Sequence, residues 1–343
     1  MTIKEAIKKL AAKNNLSSRE MQAVMQDILG GVNDTADIIE FLTFLDAKGE
    51  TAEELTAAVE VMLKYVEPII VDKPNMLDTC GTGGDKLGTF NISTIAAFVA
   101  SGAGVVVAKH GNRSVSSTCG SADILEALGV NINMDRAKIK KCLEEIGIAF
   151  LFAPALHPAM QQVMPARRQI ARKTMFNLLG PLINPARVTN QLIGVYSRRW
   201  PPVLARVLYN LGTKHVLVVH GQDGLDEVTT TDKTIVSEVN HGKFSDYQIA
   251  PEDFGFKRSR IEDLSGGNLS DNVRIAREVL KGEPGFKRDI VLLNAGCAIY
   301  AADKAASIKE GIELATQSID SKAAFRKLEL LKECSQQWLN PIS

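Results

Sequence analysis

Three short segments of this 343-residue chain carry the residue types that bind phosphate groups and divalent cations. The first, 78–85, has glycines at positions 81, 83 and 84 directly after an apolar run, so its backbone N–H groups can turn toward an anion. The segment 91–94 then opens an apolar helix, whose N-terminal N–H groups attract the same charge. A glycine turn alone is more often an ordinary loop, and Asn, Ser and Thr also cap helices. The combination favours a phosphate site.

The second segment, 109–117, follows an apolar run at 105–108 and reads Lys-His-Gly-Asn-Arg-Ser-Val-Ser-Ser. An ordinary surface turn does not need two cations, an asparagine and three serines within nine residues, so a binding function is favoured. Residues 120–123 begin another helix. Two successive strand–loop–helix units that face the same way would suit a ligand with phosphates at both ends.

The third segment, 221–227, follows the apolar run 216–219 and contains a predicted tight turn at Asp223-Gly224. The adjacent carboxylates Asp226 and Glu227 project in different directions, so they cannot form an acid/base pair across one substrate. They can share Mg²⁺, which binds a few carboxylates together with phosphate oxygens and water. Standing alone, the segment would be interpreted as a solvated acidic turn.

The elements that must position these loops are of two kinds. Residues 1–70 show apolar residues at helical spacing, with a start at Ser17 and further helices at 35–48 and 51–66. Beyond residue 74, apolar runs at 76–78, 105–107, 216–219 and 290–293 alternate with helical patterns, which predicts βαβ units. The predicted fold is therefore α/β: a small all-helical domain plus a larger domain with a mostly parallel central sheet flanked by helices, whose ligands lie beyond the carboxyl ends of the strands.

The predicted domain boundaries follow from this change of pattern. The helical domain covers 1–73 and is joined by helices from about 165–190, because a helical segment at 158–180 interrupts the α/β region. The α/β domain covers 74–164 and 191–343.

Composition excludes several classes of function. Lys+Arg and Asp+Glu both total 40 and the sequence pI is about 7.0, so the chain lacks the positive field that nucleic acid or an anionic membrane would attract. No apolar stretch is long enough to cross a bilayer, and the N-terminus lacks a signal-like apolar core. Five cysteines without a CxxC motif predict reduced thiols in a cytoplasmic protein rather than a metal cluster.

Six motifs, in this order and at these spacings, carry a resemblance to a known family. They are GTGGD, NIST, KHGNRSVSS with GSAD, HPAM at 157–160, FNLLGPLINP at 176–185 and GLDE at 224–227. The chain resembles the anthranilate phosphoribosyltransferases of tryptophan biosynthesis over nearly its whole length. The resemblance implies transfer of a phosphoribosyl group from phosphoribosyl pyrophosphate to the amine of anthranilate, with Mg²⁺, in a cytoplasmic homodimer paired through the helical domain.

The resemblance also implies a role for each matching position. The phosphoribosyl pyrophosphate positions are Gly81, Gly84, Asp85, Thr89, Asn91, Ile92, Ser93, Thr94, Lys109, His110, Gly111, Asn112, Arg113, Ser114, Val115, Ser116, Ser117 and Ser121. The anthranilate positions are Gly81, Asn112, His157, Arg167 and Gly180. The metal positions are Ser93, Asp226 and Glu227, and the catalytic ones are Lys109, Arg167 and His110.

The chain departs from the family pattern just before FNLLGP. Ile170-Ala171 and Lys173 stand where the family has a Leu-Gly pair and an arginine. Lysine keeps the charge but loses bidentate recognition, so the sequence leaves open whether this position makes an auxiliary anthranilate contact. The principal position, Arg167, is intact, and its planar guanidinium suits a carboxylate.

Two other functions are compatible with parts of the pattern. A pyrimidine nucleoside phosphorylase has the same architecture, but it binds inorganic phosphate and lacks the GLDE acidic pair. A nucleic-acid-binding relative without transferase activity would need a basic surface, which the neutral charge balance does not favour.

Overall fold

The computed structural model describes residues 1–85, 87–113 and 119–336. Four helices open the chain, and each begins at a side chain that caps it. At Ser17 the hydroxyl accepts the Glu20 N–H while the Glu20 carboxylate accepts the Ser17 N–H, which satisfies two donors reciprocally. The predicted start at Ser17 and the helix at 35–48 are confirmed. The four are α1 (Ile3–Ala11), α2 (Ser18–Leu29), α3 (Thr35–Lys48) and α4 (Ala52–Lys64).

A seven-stranded sheet forms the centre of the remaining chain, and the predicted α/β class is confirmed. Its order is β3-β2-β1-β4-β5-β6-β7, in which the first five strands run parallel and β6 is antiparallel to both β5 and β7. The strands are β1 (Leu77–Gly81), β2 (Val107–Gly111), β3 (Ile148–Phe152), β4 (Asn190–Gly194), β5 (His215–Gly221), β6 (Thr234–Asn240) and β7 (Lys243–Ile249).

Eleven further helices connect and cover these strands in the described part of the chain. They are α5 (Ile92–Gly102), α6 (Ser121–Ala127), α7 (Arg136–Glu145), α8 (Ala153–Leu156), α9 (Met164–Ile170), α10 (Met175–Leu179), α11 (Trp200–Asn210), α12 (Leu269–Leu280), α13 (Phe286–Ala301), α14 (Ile308–Asp320) and α15 (Ala323–Gln336). Among the residues described, no helix combines the length and apolar character needed to cross a bilayer.

Two predictions about elements were wrong. The run 290–293 lies inside α13, because a continuous apolar run suits a buried helix as well as a buried strand. Both site strands also extend into the segments predicted as loops: β1 continues to Gly81, and β2 includes Lys109 and His110. The predicted helical segment at 158–180 consists of a 3₁₀ turn followed by α9 and α10.

Both faces of the parallel part of the sheet are buried, as is typical of parallel sheets, whereas β7 is largely exposed. Leu217 and Val219 of β5 point into a core shared with α5 and α13, whereas Val216 and Val218 point into the other core. That second core continues without a break into the N-terminal helices, through α11, α9 and α10. The helical bundle is therefore packed against one face of the sheet through α11, with α9 and α10 alongside.

The crossing segment 164–179 contains a strained position. Helix α9 ends at Ala171, whose φ of +51° lies in the left-handed region that normally takes glycine. A side-chain Cβ costs about 1–2 kcal/mol there.

Ala171→Gly should raise the free energy of unfolding by about 0.5–1 kcal/mol, because the relief of strain exceeds the entropy that glycine adds to the unfolded chain. Ala12→Gly is the matched control, since Ala12 is also exposed and ends a helix but has a φ of −79°. It should lower stability by roughly 0.5 kcal/mol. Urea unfolding followed by circular dichroism measures both, and equal effects of the two changes would contradict the strain argument.

Candidate active site

The predicted site lies where the strand order of the sheet reverses. From β1 the chain proceeds outward to β2 and β3, and then returns to β4 on the other side of β1. The last residues of the two central strands, Gly81 and Gly194, are partners in register. Thr82 donates its N–H to the Gly194 carbonyl at 2.9 Å, which joins the strands just beyond their ends. Ligands of α/β proteins bind in the crevice outside such a point.

The acidic segment 221–227 packs directly over these strand ends. A Cβ on Gly194 would lie 1.6 Å from the Asp226 carbonyl oxygen, and a Cβ on Gly81 would lie 3.2 Å from the Asp226 carboxylate. Glycine at 194 is therefore required for space. The segment is held from below by Asn294 of α13, which accepts the Val228 N–H at 3.0 Å and donates to the Val228 carbonyl at 2.7 Å.

The two carboxylates of this segment differ in their surroundings. Glu227 accepts the Ser93 N–H at 3.2 Å, so it already uses one of the free donors at the start of α5. Burial raises the pKa of Glu227 to about 7, although Lys109 opposes the shift. Burial raises the pKa of Asp226 well above its usual range, and the charges of Asp85 and Glu227 add to this effect.

Such crowding of carboxylates fits a divalent cation. Within the described ranges no three His, Cys, Asp or Glu side chains are grouped so that they could hold a metal by themselves. Asp226, Glu227 and the Ser93 hydroxyl supply only a few hard oxygen ligands. This matches the preference of Mg²⁺ for one or two carboxylates, with phosphate oxygens and water completing its shell.

Lys109 lies beneath the glycine loop rather than in a loop of its own. Its side chain is buried within β2, where the ammonium donates to the Thr79 carbonyl and lies 3.4 Å from the Ser93 hydroxyl. Burial lowers the pKa of Lys109, while Asp78, Cys80 and Glu227 act in the opposite direction. Lys109 therefore places a positive charge directly under the strand ends.

Asp78 and Asn184 are site residues that the sequence reasoning did not assign. Asp78 is fully buried and accepts the His110 N–H at 3.1 Å and the Asn184 amide at 2.8 Å. Burial raises its pKa to about 6. Asn184 also donates to the Ala108 carbonyl at 2.8 Å, so the pair ties β1, β2 and the segment after α10 together. The signals were present, since Asp78 precedes the glycine loop and Asn184 lies in the 176–185 motif.

His110 and His157 form a buried neutral pair. Their Nε2 atoms are 3.0 Å apart, and burial lowers the pKa of His110 to about 3 and that of His157 to about 4. One ring donates and the other accepts, so the accepting ring is neutral, and the lowered pKa values leave the donating ring neutral as well. The backbone of Gly180 forms a hydrogen bond with His110. Three positions predicted for anthranilate binding or catalysis, His110, His157 and Gly180, therefore lie together.

Arg167 lies on α9 in the crossing segment. Its guanidinium carbon is 6.0 Å from the centre of the Phe176 ring, and burial lowers its pKa. No carboxylate in the described part of the chain pairs with it. A partly buried guanidinium beside an aromatic ring suits an aromatic carboxylate.

The remaining predicted positions near α5 differ in which of their atoms can face a ligand. Ile92 and Thr94 are buried, so only their backbone can face a ligand. Asn91 donates its amide to the Cys119 carbonyl at 3.1 Å, and its buried Oδ1 has no protein partner among the residues described. Asp85 accepts the Leu87 N–H at 3.1 Å, and Thr89 bridges to Ser265.

The second predicted loop is described only at its two ends. Arg113 is engaged by Asp123 at 2.9 Å and Glu126 at 2.8 Å, so α6 holds its guanidinium. The Ser121 hydroxyl donates to the Asn112 carbonyl at 3.3 Å, which joins the two described ends of the loop next to Gly111. The positions that lie outside the described residues are Ser114, Val115, Ser116 and Ser117.

Comparison with known proteins agrees with this architecture. Residues 4–66 match the helical bundle domain of the glycosyl transferase family, and residues 73–325 match its a/b domain. A relative from Alkaliphilus metalliredigens, named anthranilate phosphoribosyltransferase, is 48% identical over 98% of this chain and 99% of its own.

Solved structures give the same result. The anthranilate phosphoribosyltransferase of Thermus thermophilus is 41% identical, with a TM-score of 0.92 over 97% of this chain and 99% of its own. The Saccharomyces cerevisiae enzyme in complex with PRPP and Mg is 30% identical, with a TM-score of 0.88 over 97% of both chains.

The helical bundle, the switch point and the glycine and acidic loops together define a glycosyl transferase. At this level of identity and coverage the assignment is more specific. The chain belongs to the anthranilate phosphoribosyltransferase family.

Glu227→Gln should stabilise the metal-free protein above neutral pH. The folded pKa of about 7 exceeds the usual 4.5, so the stability that the protonated carboxyl contributes is lost as pH rises from 4.5 through 7. Glutamine mimics the neutral form at every pH. The variant should therefore gain about 1–3 kcal/mol at about pH 8 and nothing at pH 4.5 or below.

Urea unfolding in the presence of a chelator, at the two pH values, measures this difference. The control is Glu313→Gln, which alters an exposed glutamate on α14 and should behave like wild type at both. A Glu227→Gln variant that is no more stable than wild type at alkaline pH would show that the carboxylates are not crowded.

Proposed function

We propose that this chain transfers the phosphoribosyl group of phosphoribosyl pyrophosphate to the amine of anthranilate, giving N-(5-phosphoribosyl)anthranilate and pyrophosphate. The observation that carries the proposal is the packing of Asp226 and Glu227 over the glycine ends of β1 and β4, beside the start of α5. A cation site and an anion cradle thereby share one crevice. The relative of known structure in complex with PRPP and Mg supports the same ligand pair.

Displacement at the anomeric carbon of ribose develops positive charge on the sugar and negative charge on the departing pyrophosphate. The protein therefore needs electrostatic stabilisation and positioning more than a strong base. Lys109 contributes a buried positive charge under the leaving group, and the loop 81–85 with the start of α5 contributes N–H donors. The aniline nitrogen is already unprotonated at neutral pH, so activation of the nucleophile is not required.

Asp226, Glu227 and the Ser93 hydroxyl would hold Mg²⁺ together with the pyrophosphate oxygens. When bound, the ion supplies neutralisation of the charge that pyrophosphate gains as it leaves. Before the ion binds, Glu227 is anchored by the Ser93 N–H, so its carboxylate is already oriented at the helix start.

The acceptor side uses groups from the crossing segment. Arg167 would bind the anthranilate carboxylate, with Asn112, Gly81 and Gly180 around the ring. The neutral His110–His157 pair forms an uncharged wall there, which favours an aromatic ring over a second phosphate. A His110 with so low a pKa is a weak proton acceptor, so it acts by orientation.

The domain division and assembly are part of the same proposal. Residues 1–73 with the helices of 165–190 form the helical domain, and 74–164 with 191–343 form the α/β domain. Val32 and Ile70 expose 72% and 65% of their surface near the bundle, which fits pairing of two copies through that domain. The five buried free thiols fit a cytoplasmic location.

The direct test mixes protein, phosphoribosyl pyrophosphate, Mg²⁺ and anthranilate and follows the loss of anthranilate fluorescence. Loss is expected only with all components present. The Asp226→Asn, Glu227→Gln double variant should turn over at least about 100-fold more slowly and respond weakly to Mg²⁺, whereas Glu313→Gln should match wild type. Phosphorolysis of thymidine without transfer to anthranilate would instead establish the phosphorylase alternative.

Arg167→Ala should separate the two substrates. The Michaelis constant for anthranilate should rise about tenfold or more, and that for phosphoribosyl pyrophosphate should stay within about twofold, because only one ligand presents its carboxylate there. Arg168→Ala is the matched control, since its neighbouring side chain is exposed. Lys109→Met should instead raise the Michaelis constant for phosphoribosyl pyrophosphate more than that for anthranilate. Equal changes in both constants for Arg167→Ala would assign it a structural role.

A further inference from the structure

Lys173 connects the crossing segment to the glycine loop. Its ammonium donates to the Gly84 carbonyl at 2.7 Å and lies 3.5 Å from the centre of the Tyr196 ring. Tyr196 follows β4 and donates its own N–H to the Thr82 hydroxyl at 3.1 Å. The loop is therefore held at Thr82 from the sheet and at Gly84 from the crossing segment.

The contact to Gly84 fixes the direction of a peptide group. Gly83 and Gly84 have φ values of +67° and +81°, which glycine adopts without steric cost. Because glycine is conformationally permissive, the loop backbone can turn at these positions. In a trans peptide the C=O and the following N–H point in opposite directions. Holding the Gly84 carbonyl against Lys173 therefore sets the direction of the Asp85 N–H, one of the donors in the predicted pyrophosphate cradle.

A lysine suits both of these partners. An ammonium is a compact charge that can donate to a single carbonyl while it faces an aromatic ring. Two contacts of Lys173 thus reach the glycine loop and Tyr196.

The neighbouring residue makes a different connection. Arg172 pairs with Asp46 of α3 at 3.7 Å, and about half of its side chain is exposed. An exposed ion pair of this length contributes little to stability. Arg172 thus offers a control that has the same charge and lies next in the chain but does not touch the glycine loop.

We infer that Lys173 is a positioning residue for the donor substrate, holding the 84–85 peptide in the orientation that receives pyrophosphate. This inference rests on the proposed function for its substrate, but the loop contact itself does not. Because Lys173 and Arg167 lie on one short segment, the segment that binds the acceptor also shapes the cradle of the donor.

The test compares Lys173→Met with Arg172→Met and with Lys173→Arg. For Lys173→Met the Michaelis constant for phosphoribosyl pyrophosphate should rise about tenfold and that for anthranilate should stay within about twofold, because a charge-assisted hydrogen bond to the loop is lost. Arg172→Met should match wild type. Lys173→Arg, which keeps a charged donor, should recover most of the affinity.

Two measurements without anthranilate separate this inference from the proposed function. Calorimetry of phosphoribosyl pyrophosphate with Mg²⁺ should show the same weakening in Lys173→Met. Hydrogen exchange of the ligand-free protein should be faster across 82–85 in this variant and unchanged in Arg172→Met. If wild type binds the donor but does not modify anthranilate, the proposed function fails while these results still support the inference.

Three outcomes would overturn the inference. An increase confined to the anthranilate constant would make Lys173 an acceptor contact. Equal increases in both constants, with a lowered melting temperature, would make it structural. Unchanged exchange across 82–85 in Lys173→Met would show that the contact does not hold the loop, whatever the kinetics.

Discussion

The constraint on which the site depends is the backbone of Asp226 lying where a side chain of residue 194 would be. Because both central strands end in glycine, the acidic segment can rest on the sheet itself. That placement brings Glu227 to the Ser93 N–H at the start of α5, and Asn294 keeps it there from below. Carboxylates and anion-binding N–H groups are thus held side by side. Without this packing they would satisfy each other completely.

Charge balance beneath the crevice follows from the same arrangement. Lys109 is the buried cation that faces these carboxylates, and Asp78 faces it from the neighbouring strand. Toward the crossing segment the His110–His157 pair is neutral, and Arg167 supplies a separate cation. The crevice therefore has clustered carboxylates with Lys109 at one end and a guanidinium beside neutral rings at the other, which matches a reaction between a pyrophosphate ester and an aromatic amine that carries a carboxylate.

The sequence predicted the parts that depend on local chemistry. Ser17 caps α2 and Gly224 takes a positive φ in its turn, because neighbours in the chain suffice to determine both. Features that depend on distant segments were missed. Burial of β2 on both faces extends it through Lys109, and 290–293 is helical because it packs against α5 and α14. The Asp78–Asn184 contact joins positions 106 residues apart, so no local pattern could reveal it.

The close packing at Gly194 limits how this enzyme can change during evolution. No side chain other than hydrogen fits there without moving the Asp226 backbone, so the phosphate-binding end cannot diverge by single substitutions at that position. The crossing segment already carries Ala171 in a left-handed conformation, and its Lys173 contacts the glycine loop. New acceptor specificities in this family should therefore arise from changes around Arg167 in the crossing segment, while Lys173 and the donor are retained.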